Sequence, residues 1–179
     1  MPISENAIKL IKHYESLHDG NLKELGIQPK MDPVGIWTIG WGHAIVDPIT
    51  RQFVRGKENY KRALELFPNF DDRQADDLFL RDISAFEKAV RNAVKPKLDD
   101  NQIGALTSFA YNVGTGSFLR SSALKFINQK NIAEAGARLL VWNKAKVNGQ
   151  LVELKGLTYR RMSERDLLVT GVLKFYNVN

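Results

Sequence analysis

Gly35-Ile36-Trp37-Thr38-Ile39-Gly40-Trp41-Gly42-His43 is the stretch whose reading sets the architecture, with Asp32 just before it and Glu15 further upstream. Its three glycines interrupt a run of strand-forming residues. Together with Pro29 and Pro33, they make the passage from Gly26 to Val46 read as short antiparallel strands joined by tight turns. Two tryptophans, a threonine and a histidine sit where ordinary packing would more readily use aliphatic side chains. Thr38 suits a strand by β-propensity alone, and Trp37 and Trp41 suit a sheet or a core. Aromatic faces of this kind also stack on sugar rings.

Upstream, Ser4 makes an N-cap with Glu5 in the first turn, and Ala7, Ile8, Ile11 and Tyr14 recur at helical spacing, which predicts an amphipathic helix from Ser4 to about Leu17. Glu15 then falls near the C-terminal end of that helix. Downstream, Asp72 is expected to cap a long helix whose apolar face is Ala75, Phe79, Ile83, Phe86, Val90 and Val94, ending before Pro96. Further helical patterns cover Asp99 to Asn112, Ser117 to Asn128 and Asn131 to Trp142. A hairpin signal follows at Asn148-Gly149 between Val147 and Leu151, then a last helix from Leu157 to Thr170 stopped by Gly171. The predicted fold is α+β and mainly helical: one domain over 1–179, with a sheet-bearing lobe at about 15–70 and a helical lobe with its connecting helix from 1–14 and 72–179.

The chain has 179 residues, 44% of them hydrophobic and 26% charged, with no low-complexity tract or repeat, which suits a single globular domain able to bury a sizeable core. It has no cysteine, so cysteine nucleophiles and disulfides are excluded. The start Met1-Pro2-Ile3-Ser4-Glu5 does not read as a signal peptide, and no apolar run is long enough to span a bilayer, so synthesis in the cytoplasm without stable membrane insertion is expected. A net charge of +6 favours anionic partners, among them nucleic acid, a membrane surface or an acidic cell wall. His13 and His18 show no ligand spacing with His43, so no metal is expected.

A carboxylic acid paired with a second carboxylate is the chemistry of glycosidic bond cleavage. With 20 acidic residues in the chain, spacing alone says little, and the surrounding residues carry the argument. Glu15, followed by Asp32-Pro33-Val34-Gly35 and the string to His43, resembles the catalytic segment of the phage-type lysozymes, the endolysin muramidases. Ser108-Phe109-Ala110-Tyr111-Asn112-Val113-Gly114-Thr115-Gly116 resembles that family's central helix and glycine turn. Trp142, Gly156-Leu157, Arg160-Arg161 and Glu164-Arg165 resemble its C-terminal portion.

The resemblance implies a lysozyme-like fold and hydrolysis of the β-1,4 bond between N-acetylmuramic acid and N-acetylglucosamine in peptidoglycan. Glu15 would be the general acid, Asp32 the base that activates water with help from Thr38, and the outcome inversion at the anomeric carbon. It implies substrate contacts at Trp37, Tyr111, Asn112 and Thr115, structural roles for Gly42 and His43, and no cofactor. Release to the cell wall would follow opening of the membrane by a holin, and a monomer is expected. Asp32 follows Glu15 by 17 positions, about double the family's interval, so a segment around Leu17 to Lys30 loops out between them. Asp19 is the rival second carboxylate, one helical turn beyond Glu15 on the same face, but Asp32 keeps the family's distance to Thr38.

The other readings of these residues are structural. Asp32-Pro33 is a common turn opener, Gly114 and Gly116 would close a helix, and Arg160, Arg161 and Arg165 would be surface charges. Rival functions are a lytic transglycosylase, a non-catalytic cell-wall-binding module, and a nucleic-acid binder for which no aromatic-basic motif speaks.

Overall fold

The computed structural model describes residues 4–15, 17, 26–32, 34–147 and 149–177. Ser16, His18, Asp19, Pro33, Asn148 and most of the segment between Glu15 and Gly26 lie outside the described residues, so the loop-out and the Asp19 alternative concern residues that are not described. The protein is mainly helical, 58%, with two small antiparallel sheets. It divides into two compact units, Glu15–Asp82 and Met1–Tyr14 with Ile83–Asn179. Among the described residues no helix is long and apolar enough to cross a membrane.

The unit Glu15–Asp82 is built on three short strands, β1 Lys30–Met31, β2 Trp37–Ile39 and β3 His43–Ala44, antiparallel in the order β1-β2-β3. Lys30 pairs with Thr38 and Met31 with Trp37, then Thr38 with Ala44 and Ile39 with His43. The inner faces bury Trp37, Ile39, Ile45 and Val54 against Ala63 of α2 (Tyr60–Leu66), Phe70 and Ala75. Burial explains the density of strand-forming residues in the founding stretch, and glycine explains its turns. Gly40 has φ +60°, and a Cβ there would meet the Ala75 Cβ at 3.2 Å.

In the second unit, α4 (Asp100–Val113) is buried on every side from Ile103 to Ala110, so it is apolar or small all round rather than striped. Around it lie α5 (Thr115–Leu119), α6 (Ser122–Asn128), α7 (Ile132–Leu140) and α8 (Lys155–Thr170), with β4 (Lys144–Val147) and β5 (Gln150–Glu153) as a hairpin. The first helix, α1 (Glu5–Glu15), buries Ala7, Leu10 and Ile11. It approaches α4 where Gly104 faces Ala7, a contact so close that a Cβ on Gly104 would stand 2.8 Å from the Ala7 Cβ. The remaining helix, α3 (Asp72–Ala93), carries the expected apolar face, with Ala75, Phe79, Ile83 and Val90 buried.

Several expectations are corrected. The cap of α3 is Asp71 rather than Asp72: its Oδ1 accepts the Gln74 N–H at 2.7 Å while the Gln74 side chain accepts the Asp71 N–H at 2.9 Å, a reciprocal capping box. The helix expected from Ser117 to Asn128 is two, because Ser121 turns its hydroxyl onto the Leu124 N–H and starts α6 afresh. The helical segment from Lys57 to Leu66, a short 3-10 turn running into α2, was not anticipated. Gly171 closes α8 in the left-handed region, φ +70°.

Candidate active site

Glu15 is the last residue of α1 and half-buried. A Cβ added to Gly42, which has φ +87°, would come within 3.1 Å of Glu15 Oε2, so the carboxylate lies against the turn between β2 and β3 at a point that favours glycine. Asp32 is held by an Asx turn: its Oδ1 accepts the N–H groups of Val34 at 2.9 Å and Ile36 at 2.8 Å, while its own N–H donates to the Ile36 carbonyl at 2.8 Å. This extends the β1–β2 ladder by one step. With Lys30 opposite Thr38, period-two alternation then puts Asp32 and Thr38 on one face of the hairpin.

The Thr38 hydroxyl donates to the Lys30 carbonyl at 2.9 Å, and the residue is buried. His43 Nδ1 and Asp82 Oδ2 are 2.8 Å apart, with the Phe67 ring edge-on to the imidazole at 5.9 Å. Asp82 is a partner that sequence reading did not anticipate, because 39 residues separate the two and nothing local links them. Trp41 donates from Nε1 to Asp76 Oδ1 at 2.7 Å and stands half-buried.

Trp37 departs from the sugar-stacking expectation. Its Nε1–H donates to the Gly56 carbonyl at 2.7 Å, its ring packs on Tyr60, and only 9% of the residue is exposed. This is a core tryptophan with little face left to offer a ligand. Glu15, Asp32, Thr38, Trp37, Gly42 and His43 all belong to the unit Glu15–Asp82.

The other three expected substrate residues belong to the helical unit. Tyr111 and Asn112 lie in the last turn of α4 and Thr115 begins α5, all half-buried, with the Tyr111 ring 5.1 Å from Phe86. Gly114, at φ +84°, makes the corner and donates its N–H to the Ala110 carbonyl, whereas Gly116 lies inside α5.

Arg160 and Arg161 are not surface charges. They are 2% and 0% exposed and share Glu164, itself fully buried. Glu164 Oε1 accepts from the Ser108 hydroxyl at 2.7 Å, from Arg160 Nε at 3.2 Å and from Arg161 Nη2 at 2.9 Å, and the Arg161 guanidinium lies 5.0 Å from the centre of the Phe109 ring. Among the described residues no three His, Asp or Glu side chains converge to hold a metal ion.

The phage lysozyme family model matches residues 23–164 of this chain. The endolysin of Bacillus phage PZA is 34% identical over 97% of the chain, which spans only 57% of that protein's length. The endolysin of Acyrthosiphon pisum secondary endosymbiont phage 1 is 31% identical over 93% of the chain and 97% of its own length. Among solved structures, the muramidase domain of SpmX from Asticaccaulis excentricus superposes with a TM-score of 0.71 at 32% identity, covering 94% of this chain and 97% of that one.

Proposed function

This chain belongs to the phage lysozyme family, and on that premise we propose that it is an endolysin-type glycoside hydrolase cleaving the β-1,4 bond between N-acetylmuramic acid and N-acetylglucosamine of bacterial peptidoglycan. The observation that supports it best is the placement, in one compact unit, of the Glu15 carboxylate against Gly42 and of Asp32 beside Thr38 on one hairpin face.

In this reading Glu15 protonates the leaving glycosidic oxygen. Asp32, whose Oδ1 is fixed by two backbone amides, takes the proton of the attacking water at Oδ2. The Thr38 hydroxyl gives its own proton to Lys30, so towards that water it acts as an acceptor and orients it. Attack from the face opposite the leaving group inverts the anomeric carbon. Proton NMR of the first-formed product tests this: the α anomer supports inversion, and a retained β anomer assigns Asp32 as nucleophile instead.

The reading further has both units acting as one lysozyme-like domain in a monomer, reaching the wall once a separate pore-forming holin has opened the membrane. Expression inside bacteria should then leave cells intact until the membrane is permeabilised. Lysis on expression alone would remove the holin from the account.

A further inference from the structure

A hairpin in the unit Glu15–Asp82 carries an apolar tip that the catalytic reading does not use. Val46 and Phe53 face each other across an antiparallel bridge, and their chain neighbours Ile45 and Val54 point into the core. Alternation therefore turns Val46 and Phe53 outward, where polar residues are usual, and they are 43% and 47% exposed. Between them, at the turn, Ile49 is 80% exposed.

The turn is built rigidly without help from the Ile49 side chain. Asp47 Oδ1 accepts the N–H groups of Ile49 at 2.8 Å and Thr50 at 3.1 Å, the Asp47 N–H donates to the Gln52 carbonyl at 2.9 Å, and Arg51 N–H donates to the Asp47 carbonyl at 2.8 Å. From outside the loop, Arg62 Nε donates to Asp47 Oδ2 at 2.6 Å. Pre-ordering removes much of the entropic cost of using the tip as a contact. Exposed cations lie close to it in the chain at Arg51, Arg55 and Lys57, with one exposed carboxylate at Glu58, and the Arg55 guanidinium lies 5.8 Å from the Phe53 ring centre. Arg51 sits at φ +60°, where glycine or asparagine would be less strained.

We propose that this tip docks on an anionic lipid surface, with Ile49, Phe53 and Val46 entering the boundary between headgroups and acyl chains and Arg51, Arg55 and Lys57 meeting lipid phosphates. Three side chains at the end of a hairpin offer on the order of a few hundred Å², well short of the roughly 800 Å² each partner gives a standard protein interface, which argues against a second copy. A sugar chain would want hydrogen-bonding groups and an open aromatic face. Ile49 and Val46 supply neither, and Arg55 lies over the Phe53 ring. A small apolar wedge with exposed cations beside it in the chain is suited to shallow, reversible attachment at an anionic bilayer.

The test is co-sedimentation of the full chain with phosphatidylglycerol-containing vesicles and with purely phosphatidylcholine vesicles, for the native protein and for Ile49→Ser with Phe53→Ser. Both side chains are exposed, so the variant should keep the native far-UV spectrum and melting temperature, and its hydrolysis of lipid-free peptidoglycan should be unchanged. The expected result is binding that requires phosphatidylglycerol, weakens with salt and falls at least tenfold in the variant. Absence of native binding to either vesicle overturns the proposal, as does equal binding by the variant, which would assign the attraction to basic residues elsewhere. A variant that instead loses its hold on lipid-free peptidoglycan makes the tip a glycan contact. A native protein that binds vesicles but releases no wall fragments leaves the docking intact and removes the muramidase reading alone.

Discussion

Asp32 Oδ1 accepts two backbone amides, and an asparagine there offers the same oxygen to the same amides. Asp32→Asn is therefore expected to fold like the native chain while losing the base, lowering turnover by at least 100-fold at a native melting temperature. Asp32→Ala removes both functions and should also lose about 1 kcal/mol from the turn. Native-like hydrolysis by Asp32→Asn would leave Asp32 a turn residue only. Gly42→Ala tests the other side of the site. Its φ of +87° and the 3.1 Å approach to Glu15 Oε2 predict about 1–2 kcal/mol of destabilisation together with displacement of the carboxylate, so activity should fall more steeply than stability alone explains. At this scale the turns were legible, because Gly35, Gly40 and Gly42 interrupt a run of strand-forming residues. The His43–Asp82 contact was not, since pairing at that separation is decided by tertiary folding.

Among the elements, the hairpin stapled by Asp47 makes a pH-dependent prediction. The Arg62 guanidinium, with the Ile49 and Thr50 amides, draws the Asp47 carboxyl from its ordinary 3.8 down to about 2. A carboxyl lowered on folding stabilises the fold above its unfolded value, and that contribution is lost as pH falls through the folded one. The Asp47 turn should thus loosen between about pH 4 and pH 2. Amide exchange at Ile49 and Thr50 should accelerate in that window, and rates that follow only the general pH dependence of exchange would contradict it.

Helix starts were legible in kind and misplaced by a residue or broken unexpectedly. Asp72 reads as the cap, but its neighbour Asp71 is the residue that stands three positions before Gln74 and closes the box with it. The stretch from Ser117 to Asn128 reads as one helix in sequence, and the Ser121 hydroxyl, by accepting the Leu124 N–H, divides it into two. The helix α2 buries only Ala63 and leaves almost no periodic signal.

For the whole molecule, the helical unit encloses a charged cluster that patterning would assign to solvent. Arg160 and Arg161 sit where α8 meets the buried residues of α4, and both are ion-paired with Glu164 inside the core. Removing one member of such a network strands the others, so Glu164→Ala is expected to cost about 3–5 kcal/mol in denaturant unfolding. A loss below about 1 kcal/mol would contradict that account. The mainly helical fold and the small sheet were readable from periodicity and glycine placement, whereas buried charge is invisible to any rule that reads charge as surface.

The most direct measurement is mass spectrometry of the fragments released from purified peptidoglycan by the native chain and by Glu15→Gln, which keeps the side chain's shape but has no proton to donate. The account predicts reducing muramic acid ends that have gained water from the native protein and none from the variant. Anhydro-muramic ends would make the protein a lytic transglycosylase. Fragments from both proteins alike would contradict the role assigned to Glu15.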